Sequence, residues 1–252
     1  MAFASPAIGL AGTRDMVRQK GMQGVIKAAI FDVDGTLVDS VDQHAKSWEE
    51  AFRDFGHVIP FADVRSQIGK GGDQLMPVFL TPAELDATGD ALDKQRSSIM
   101  KERYLATIKA FPDVRALFQR LRDDGVQVVL ASSAKSDELK IYKRLADIDD
   151  LVDAETSSDD AEKSKPHPDI FEAALARLPG IDPSEAVVVG DTPYDAEAAA
   201  KVGLATIGIL TGGFPESALR RAGCIEIFAD PADLLKHYHR SPFARGKSSP
   251  AA

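Results

Sequence analysis

The sequence has little sulfur and no excess of positive charge. Its single cysteine, Cys224, excludes an intrachain disulfide and a zinc site built from cysteines. Lysine and arginine together number 30 against 39 acidic residues, and the formal net charge is −9. Nucleic acid and anionic membranes are therefore not expected as partners, and no apolar run is long enough to span a bilayer. An acidic protein that handles an anionic ligand needs local positive charge, such as a metal ion or a few lysines.

The length of 252 residues, 44% of them hydrophobic, fits one large domain or one domain with an insertion. The mildly apolar N-terminus is interrupted by Pro6 and lacks a basic region, so residues 1–24 are predicted to be a flexible extension rather than a signal peptide. Residues 241–252 have the composition of a flexible tail. We expect a cytoplasmic location.

Two aspartates end the first predicted strand. The apolar run 28–31 leads into Asp32 and Asp34, and a Gly35-Thr36 turn follows. Such a run predicts a buried strand, and open α/β sheets bind ligands at the carboxyl ends of their strands. Two carboxylates this close repel each other, so they need a cation or a shared proton. The alternative is a pair of solvated or helix-capping turn residues.

Helices alternate with strands only in the second half of the chain. Residues 41–110 carry helical patterns alone, including a helix start at Thr81-Pro82, and therefore predict an all-helical insert. Beyond them, helices separate four further predicted strands, at residues 126–130, 151–154, 186–189 and 206–210, and a short fifth at 225–228. This alternation predicts an α/β fold with a parallel sheet.

Further polar residues follow the later strands. Ser132 and Ser133 follow the second predicted strand, Lys165 lies beyond the third, and Asp191 and Asp195 follow the fourth. Carboxylates without histidine or thiolate suit a hard cation, in the first place Mg²⁺. A serine hydroxyl and a lysine ammonium suit phosphate oxygens, and a carboxylate nucleophile is a known solution to phosphoryl transfer.

These residues together resemble the four motifs of the haloacid dehalogenase superfamily. The motifs are Asp32-Val33-Asp34-Gly35-Thr36, Ser132, Lys165, and Gly190-Asp191 with Asp195, and the resemblance covers about residues 26–235. The helical insert is similar to the cap of phosphoglycolate phosphatases and β-phosphoglucomutases.

The resemblance implies two structural units. A Rossmann-like parallel-sheet core would comprise residues 25–40 and 111–240, and the all-helical cap would comprise residues 41–110. A hinge would run through residues 37–42 and 110–113, and its motion would admit substrate and exclude water.

The resemblance also implies catalytic roles. Asp32 would attack phosphorus and become the aspartyl-phosphate, and Asp34 would protonate the leaving oxygen and then activate water. Mg²⁺ would be held by Asp32, the backbone carbonyl of Asp34, and Asp191. Asp195 would support these ligands without binding the ion itself, or would bind it through water. Lys165 would hold the transferring phosphoryl group and offset the carboxylates.

The remaining candidates concern the substrate. Ser132 would hold the phosphoryl group together with Lys165, although a plain turn serine is the alternative. Thr36 and Ser133 are candidates for the same pocket. Lys70, in a glycine-rich break of the cap, is predicted to meet the non-transferring end of the substrate, unless that break is a simple helix–helix turn. His44 is assigned no role.

The predicted function is a Mg²⁺-dependent phosphatase, a monomer or homodimer, that hydrolyses a small phosphorylated metabolite of the phosphoglycolate or sugar-phosphate class. A β-phosphoglucomutase-like phosphomutase is the alternative, although the spacing of Asp191 and Asp195 is the phosphatase-like form. Dehalogenases lack the second aspartate, so Asp34 argues against that activity. A phospho-receiver domain would show a different motif order, and a non-catalytic phospho-ligand binding protein would not need intact motifs.

Overall fold

The computed structural model describes residues 24–244. The predicted N-terminal extension, apart from Gly24, and the predicted tail from residue 245 lie outside this part of the chain. The first four residues of the predicted tail are folded, so its expected start at residue 241 is wrong. Ser241 and Phe243 are fully buried, and the Phe243 ring stacks on Tyr238 with centroids 6.1 Å apart.

Eight strands form within the described residues. In chain order they are β1 Ala28–Phe31, β2 Val38–Asp39, β3 Lys109–Ala110, β4 Gln127–Ala131, β5 Ala154–Thr156, β6 Ala186–Gly190, β7 Ala205–Ile209 and β8 Glu226–Phe228. Six of them make one parallel sheet in the order β5–β4–β1–β6–β7–β8. The predicted parallel-sheet core is confirmed.

Ten α-helices accompany these strands within residues 24–244. They are α1 Val41–Asp54, α2 Phe61–Arg65, α3 Gly72–Leu75, α4 Pro82–Ile99, α5 Val114–Asp123, α6 Ser136–Leu145, α7 Asp169–Ala176, α8 Pro193–Lys201, α9 Glu216–Ala222 and α10 Pro231–Lys236. In this part of the chain, no helix is both long and apolar enough to cross a membrane.

Strand β1 lies at the centre of the sheet and is buried on both faces. Ile30 pairs with Val129 of β4 on one side and with Val188 of β6 on the other. Alternate residues belong to two apolar layers, one of which includes Phe31 and Phe118 with ring centroids 4.7 Å apart. Because the strands are parallel and in register, the residues that follow β1, β4 and β6 emerge at the same edge.

The cap consists of α1 to α4 and joins the core through a short antiparallel ribbon. Strand β2 pairs with β3, so that Val38 faces Ala110 and Asp39 faces Lys109. The expectation that residues 41–110 are helical throughout is therefore wrong for the last two, because two-residue strands are too short to show a periodicity. The ribbon lies within or beside the two predicted hinge segments.

We expect that Phe243→Ala lowers the free energy of unfolding by about 3 kcal/mol, because it removes a fully buried aromatic ring. Urea denaturation of the full chain measures this loss. The control is Val58→Ala in the cap, where the side chain is 89% exposed and the change should stay within about 0.5 kcal/mol. A loss below about 1 kcal/mol at Phe243 would show that this segment contributes little to the core.

Candidate active site

The predicted site residues meet at the carboxyl edge of the sheet. Asp32 follows β1, Ser132 follows β4, Asp191 follows β6, and Lys165 lies in the loop before α7. The backbone N–H of Asp32 donates to the carbonyl of Val189 at 2.9 Å, which continues the β1–β6 pairing into the site. Strand order thus brings residues more than 150 positions apart in the chain into contact.

Lys165 is buried between two carboxylates. Its side chain is 1% exposed, and its Nζ forms ion pairs with Oδ1 of Asp32 and, at 2.7 Å, with Oδ1 of Asp195. Burial acts to lower the pKa of Lys165, but the charges of Asp195 and Asp32 outweigh it and raise the pKa above its ordinary value. Lys165 is therefore a fixed positive charge at the centre of the site.

Thr36 lies between two carboxylates. Its hydroxyl is 2.9 Å from Oδ1 of Asp191 and 3.1 Å from Oδ2 of Asp32, and its side chain is fully buried. We expected Thr36 to bind substrate. Its position is instead suited to orienting Asp32 and Asp191, because the buried hydroxyl lies between their carboxylates and is already hydrogen-bonded.

Asp34 points to a different environment from Asp32. Its Oδ1 accepts a hydrogen bond from Ser40 Oγ at 2.7 Å and lies 2.8 Å from His44 Nε2. Burial alone would raise the pKa of Asp34, but the charge and hydrogen bond of His44 and the hydrogen bond of Ser40 outweigh it and lower the pKa below the usual range. Asp34 is therefore held in its ionised form in the ligand-free site.

His44 is a site residue that the sequence analysis missed. It follows Val41 by three positions and precedes Trp48 by four, so it lies near the buried face of α1. A polar side chain beside that apolar stripe, ten residues after Asp34, is the signal that could have revealed it.

The carboxylates fit a divalent cation. Oxygens of Asp32, Asp191 and Asp195 lie within 4.8 Å of one another, and Oδ2 of Asp191 is buried without a hydrogen-bond partner. A Cβ at Gly35 or Gly212 would come within 2.3 Å of that oxygen, so only glycines leave room around it. An all-oxygen donor set is the one that Mg²⁺ prefers.

The pKa values of Asp32 and Asp191 are both raised, which indicates that Lys165 does not fully compensate the negative charge of these carboxylates. Burial raises the pKa of Asp32 to about 7 despite the opposing charge of Lys165. Burial, followed by the charges of Asp32 and Asp195, raises the pKa of Asp191 well above its ordinary value. A cation would relieve both carboxylates.

Asp195 is better placed as a support than as a ligand. Its Oδ1 pairs with Lys165, and its Oδ2 accepts hydrogen bonds from the Thr192 hydroxyl at 2.7 Å and the Thr192 backbone N–H at 3.1 Å. This second contact is a capping box that begins α8. Asp195 therefore caps a helix and positions Lys165 at the same time.

The candidate phosphate-binding serines differ in exposure. Ser132 is fully buried, and its Oγ accepts a hydrogen bond from the backbone N–H of Ala134 at 3.0 Å. Its own hydroxyl proton stays available for an acceptor. Ser133 lines the cleft between cap and core. Both serines thus lie in the turn after β4, as the strand-end argument predicts.

Lys70 lines the cleft but is already engaged. Its Nζ donates to Oε1 of Gln67 at 2.6 Å and lies 4.8 Å from the ring centroid of Tyr194. Burial lowers the pKa of Lys70, while the charge of Glu197 acts in the opposite direction. The ammonium thus contacts α8 of the core in this arrangement of cap and core.

The glycine-rich cap loop around Lys70 packs directly on the core. A Cβ at Gly69 would lie 2.5 Å from the Thr192 side chain, and one at Gly71 would lie 2.0 Å from Ser164 Oγ. Asp73 Oδ2 accepts a hydrogen bond from the Ser164 backbone N–H at 3.1 Å. Thr192 and Ser164 are sequence neighbours of Asp191 and Lys165, so this loop lies over the candidate site and is more than a helix–helix turn.

Cap and core enclose a cleft of about 370 Å³ whose lining includes Asp32 and Asp34. This volume suits a small metabolite rather than a polymer. Fold and site together define an α/β enzyme with a carboxylate centre at the carboxyl edge of a parallel sheet and a helical cap above it.

The chain belongs to the haloacid dehalogenase-like hydrolase family, whose family model matches residues 26–203. It is 31% identical to a phosphoglycolate phosphatase of Nitrosospira multiformis over 184 residues, 71% of this chain and 80% of that protein. It is 24% identical to a phosphorylated carbohydrates phosphatase of Thermotoga maritima over 211 residues, 83% and 97% of the two chains.

A crystal structure of a hydrolase from Pseudomonas syringae has the same fold, with a TM-score of 0.77 and 29% identity over 84% of this chain and 97% of that one. The resemblance drawn from the motifs, the fold class and the assignment as a hydrolase of this family are confirmed.

We expect the order of stability of wild type and Asp191→Asn to reverse when Mg²⁺ is added. Without divalent cations, the variant should melt about 2–4 °C higher, because removing one buried charge relieves about 1 kcal/mol of repulsion. With Mg²⁺, the wild type should be stabilised by about 2.7 kcal/mol at one hundred times its Kd, and the variant should not.

Differential scanning fluorimetry in EDTA and in Mg²⁺ measures both effects. Glu172→Gln on α7 is the matched control, since this exposed acid should leave the Mg²⁺ shift intact. An equal Mg²⁺ shift in wild type and Asp191→Asn would argue against a metal site at Asp191.

Proposed function

We propose that this hydrolase is a Mg²⁺-dependent phosphatase that hydrolyses a small phosphorylated metabolite through an aspartyl-phosphate on Asp32. The observation that carries the proposal is the separation of the two aspartates. Asp32 lies beside Lys165 at the cation site, and Asp34, two residues later, is bonded to Ser40 and His44 and also lines the cleft. These different surroundings support a nucleophilic role for Asp32 and a proton-transfer role for Asp34.

In the first step, an Asp32 oxygen attacks phosphorus and the bond from phosphorus to the leaving oxygen breaks. That oxygen takes a proton from the Asp34 carboxyl group and departs as an alcohol. Asp34 must be protonated for this step, and the negative charge of a bound phosphate raises its pKa in the required direction.

In the second step, water attacks phosphorus and gives a proton to Asp34. The bond from phosphorus to Asp32 breaks, which releases inorganic phosphate and restores the Asp32 carboxylate. The hydrogen bonds of Ser40 and His44 hold Asp34 in the ionised form that accepts this proton.

The cation would be held by Asp32, Asp191 and the backbone carbonyl of Asp34. When bound, it supplies positive charge that screens the carboxylate nucleophile from the phosphate and stabilises the transition state. Lys165 and the Ser132 hydroxyl would bind the phosphoryl oxygens, which is supported by the ion pair of Lys165 with Asp32 and by the free hydroxyl proton of Ser132. Ser133 lines the cleft. Thr36 and Asp195 position these groups.

A phosphomutase would share the first step, after which a sugar hydroxyl would replace water. The resemblance of the cap to β-phosphoglucomutases keeps this as the second candidate. Incubation with β-glucose 1-phosphate separates the two, because a mutase forms glucose 6-phosphate and a phosphatase releases free phosphate and glucose.

Asp32→Asn should lower the hydrolysis of p-nitrophenyl phosphate more than about 1,000-fold, as loss of the nucleophile does in other covalent enzymes. Mass spectrometry of acid-quenched wild type during turnover should find one phosphoryl group on Asp32. Asp86→Asn, an exposed acid of the cap, is the control. Equal rates for wild type and Asp32→Asn would disprove the mechanism.

Gly71→Ala should lower kcat/KM about 10- to 100-fold, because its Cβ would collide with Ser164 and displace the cap loop. The backbone at Gly71, with φ −76°, accepts alanine without strain. A loss of kcat/KM would therefore come from the displaced cap loop and not from backbone strain. Adding Ser164→Gly should restore much of the activity. Gly89→Ala in the cap is the control, since its Cβ makes only an ordinary contact at 3.8 Å. Full activity in Gly71→Ala alone would show that turnover does not need this contact.

A further inference from the structure

Glu138 is a buried acid in the cleft that the proposed mechanism does not use. It lies in the first turn of α6, is 3% exposed and lines the cleft. Within residues 24–244, its carboxylate makes no hydrogen bond or close ion pair. Burial raises the pKa of Glu138, although the charges of His44 and Arg96 oppose this. Such a carboxylate gains from a ligand that donates hydrogen bonds.

Glu138 shares the cleft with the proposed proton-transfer residue. Asp34, His44 and Glu138 all line it, and His44 is bonded to Asp34. Under the proposed function, Asp34 protonates the leaving oxygen. The part of the substrate attached to that oxygen therefore occupies the cleft that Glu138 lines.

Arg96 adds a complementary donor from the cap. Its Nε is buried without a hydrogen-bond partner, and its guanidinium lies 5.0 Å from the Trp48 ring centroid. Its nearest carboxylate, Asp93, is 3.5 Å away, which partly offsets its charge. An unpaired donor and an unpaired acceptor in one cleft match hydroxyl groups, which both donate and accept.

The charge of the cleft argues against a second anionic group on the substrate. Beyond Asp32 and Asp34, five acidic and three basic side chains line it. Lys70 is engaged with Gln67 and Tyr194, and Lys135 is exposed. A carboxylate or a second phosphate would therefore meet net negative charge at the distal end.

We propose that Glu138 and Arg96 recognise the hydroxyl or amino groups of the leaving alcohol, and that the substrate is the phosphate monoester of a polyol or aminated polyol. Phosphoglycolate and pyrophosphate, whose leaving groups are anionic, are then poor substrates. This inference rests on the proposed function for its catalytic step.

The test compares kcat/KM for glucose 6-phosphate, glucosamine 6-phosphate, phosphoglycolate and pyrophosphate. Wild type should prefer the two sugar phosphates. The ratio of kcat/KM for glucose 6-phosphate to that for glucosamine 6-phosphate then shows whether the preferred leaving alcohol is a neutral or an aminated polyol. Glu138→Gln should lower kcat/KM for the preferred sugar phosphate about 10- to 100-fold, because a charged hydrogen bond is lost. The same variant should raise kcat/KM for phosphoglycolate, because a repelling charge is removed.

Glu172→Gln is the matched control and should leave all four ratios unchanged. A wild type that prefers phosphoglycolate or pyrophosphate overturns the inference, as does a Glu138→Gln variant that loses activity equally on all four. Either result leaves the phosphatase mechanism standing as long as p-nitrophenyl phosphate is hydrolysed with Mg²⁺.

Calorimetric binding to the Asp32→Asn variant gives an answer independent of turnover. It should bind glucose 6-phosphate or glucosamine 6-phosphate more tightly than phosphoglycolate, and adding Glu138→Gln should reverse or abolish that preference. Tighter binding of phosphoglycolate overturns the inference even if no ester is hydrolysed.

Discussion

The site depends on how buried negative charge is balanced at one edge of the sheet. Asp32, Asp191 and Asp195 are each at most 6% exposed, and Lys165 is the one buried cation within residues 24–244. Burial raises the pKa of Asp32 and of Asp191, the neighbouring carboxylates raise both further, and one ammonium does not offset these effects. Breaking such a buried pair is costly, because it leaves a charge without a partner. Under the proposed function, the same imbalance would favour the binding of a cation and the attack of Asp32 on phosphorus.

The turn after β1 separates two chemically identical side chains. The N–H groups of Leu37 and Val38 donate to the carbonyl of Val33, and the N–H of Gly35 donates to the carbonyl of Val38. These bonds turn the chain sharply between Asp34 and the hinge. Asp32 stays with the sheet edge, whereas Asp34 reaches Ser40 and His44 at the start of the cap. Opposite pKa shifts follow from these environments, upward for Asp32 and downward for Asp34. A spacing of two residues is therefore enough to give the two carboxylates different surroundings, as the proposed division into nucleophilic and proton-transfer roles requires.

The part of the site that lies next to strand ends could be predicted from sequence. Asp32, Ser132 and Asp191 each follow an apolar run directly, so strand topology alone brings them together. His44 could not be placed this way, because its contact with Asp34 depends on how α1 leaves the hinge. The start of helix α8 at Pro193 depends on local chemistry, since Thr192 and Asp195 form a capping box that the apolar periodicity does not show. Phe243 was assigned to a tail because its neighbours are polar and small, and only tertiary packing reveals its burial.

Cap and core are coupled through the same residues that build the site. His44 belongs to the first cap helix and bonds to Asp34, so a rotation of α1 about the β2–β3 ribbon would alter the environment of Asp34. Gly69 and Gly71 allow the cap loop to approach Thr192 and Ser164 closely, beside the cation site and Lys165. Because Glu138 comes from the core and Arg96 from the cap, the distal end of the cleft is complete only when the two units are together. Under the proposed function, substrate recognition and exclusion of water would therefore depend on the same arrangement of cap and core.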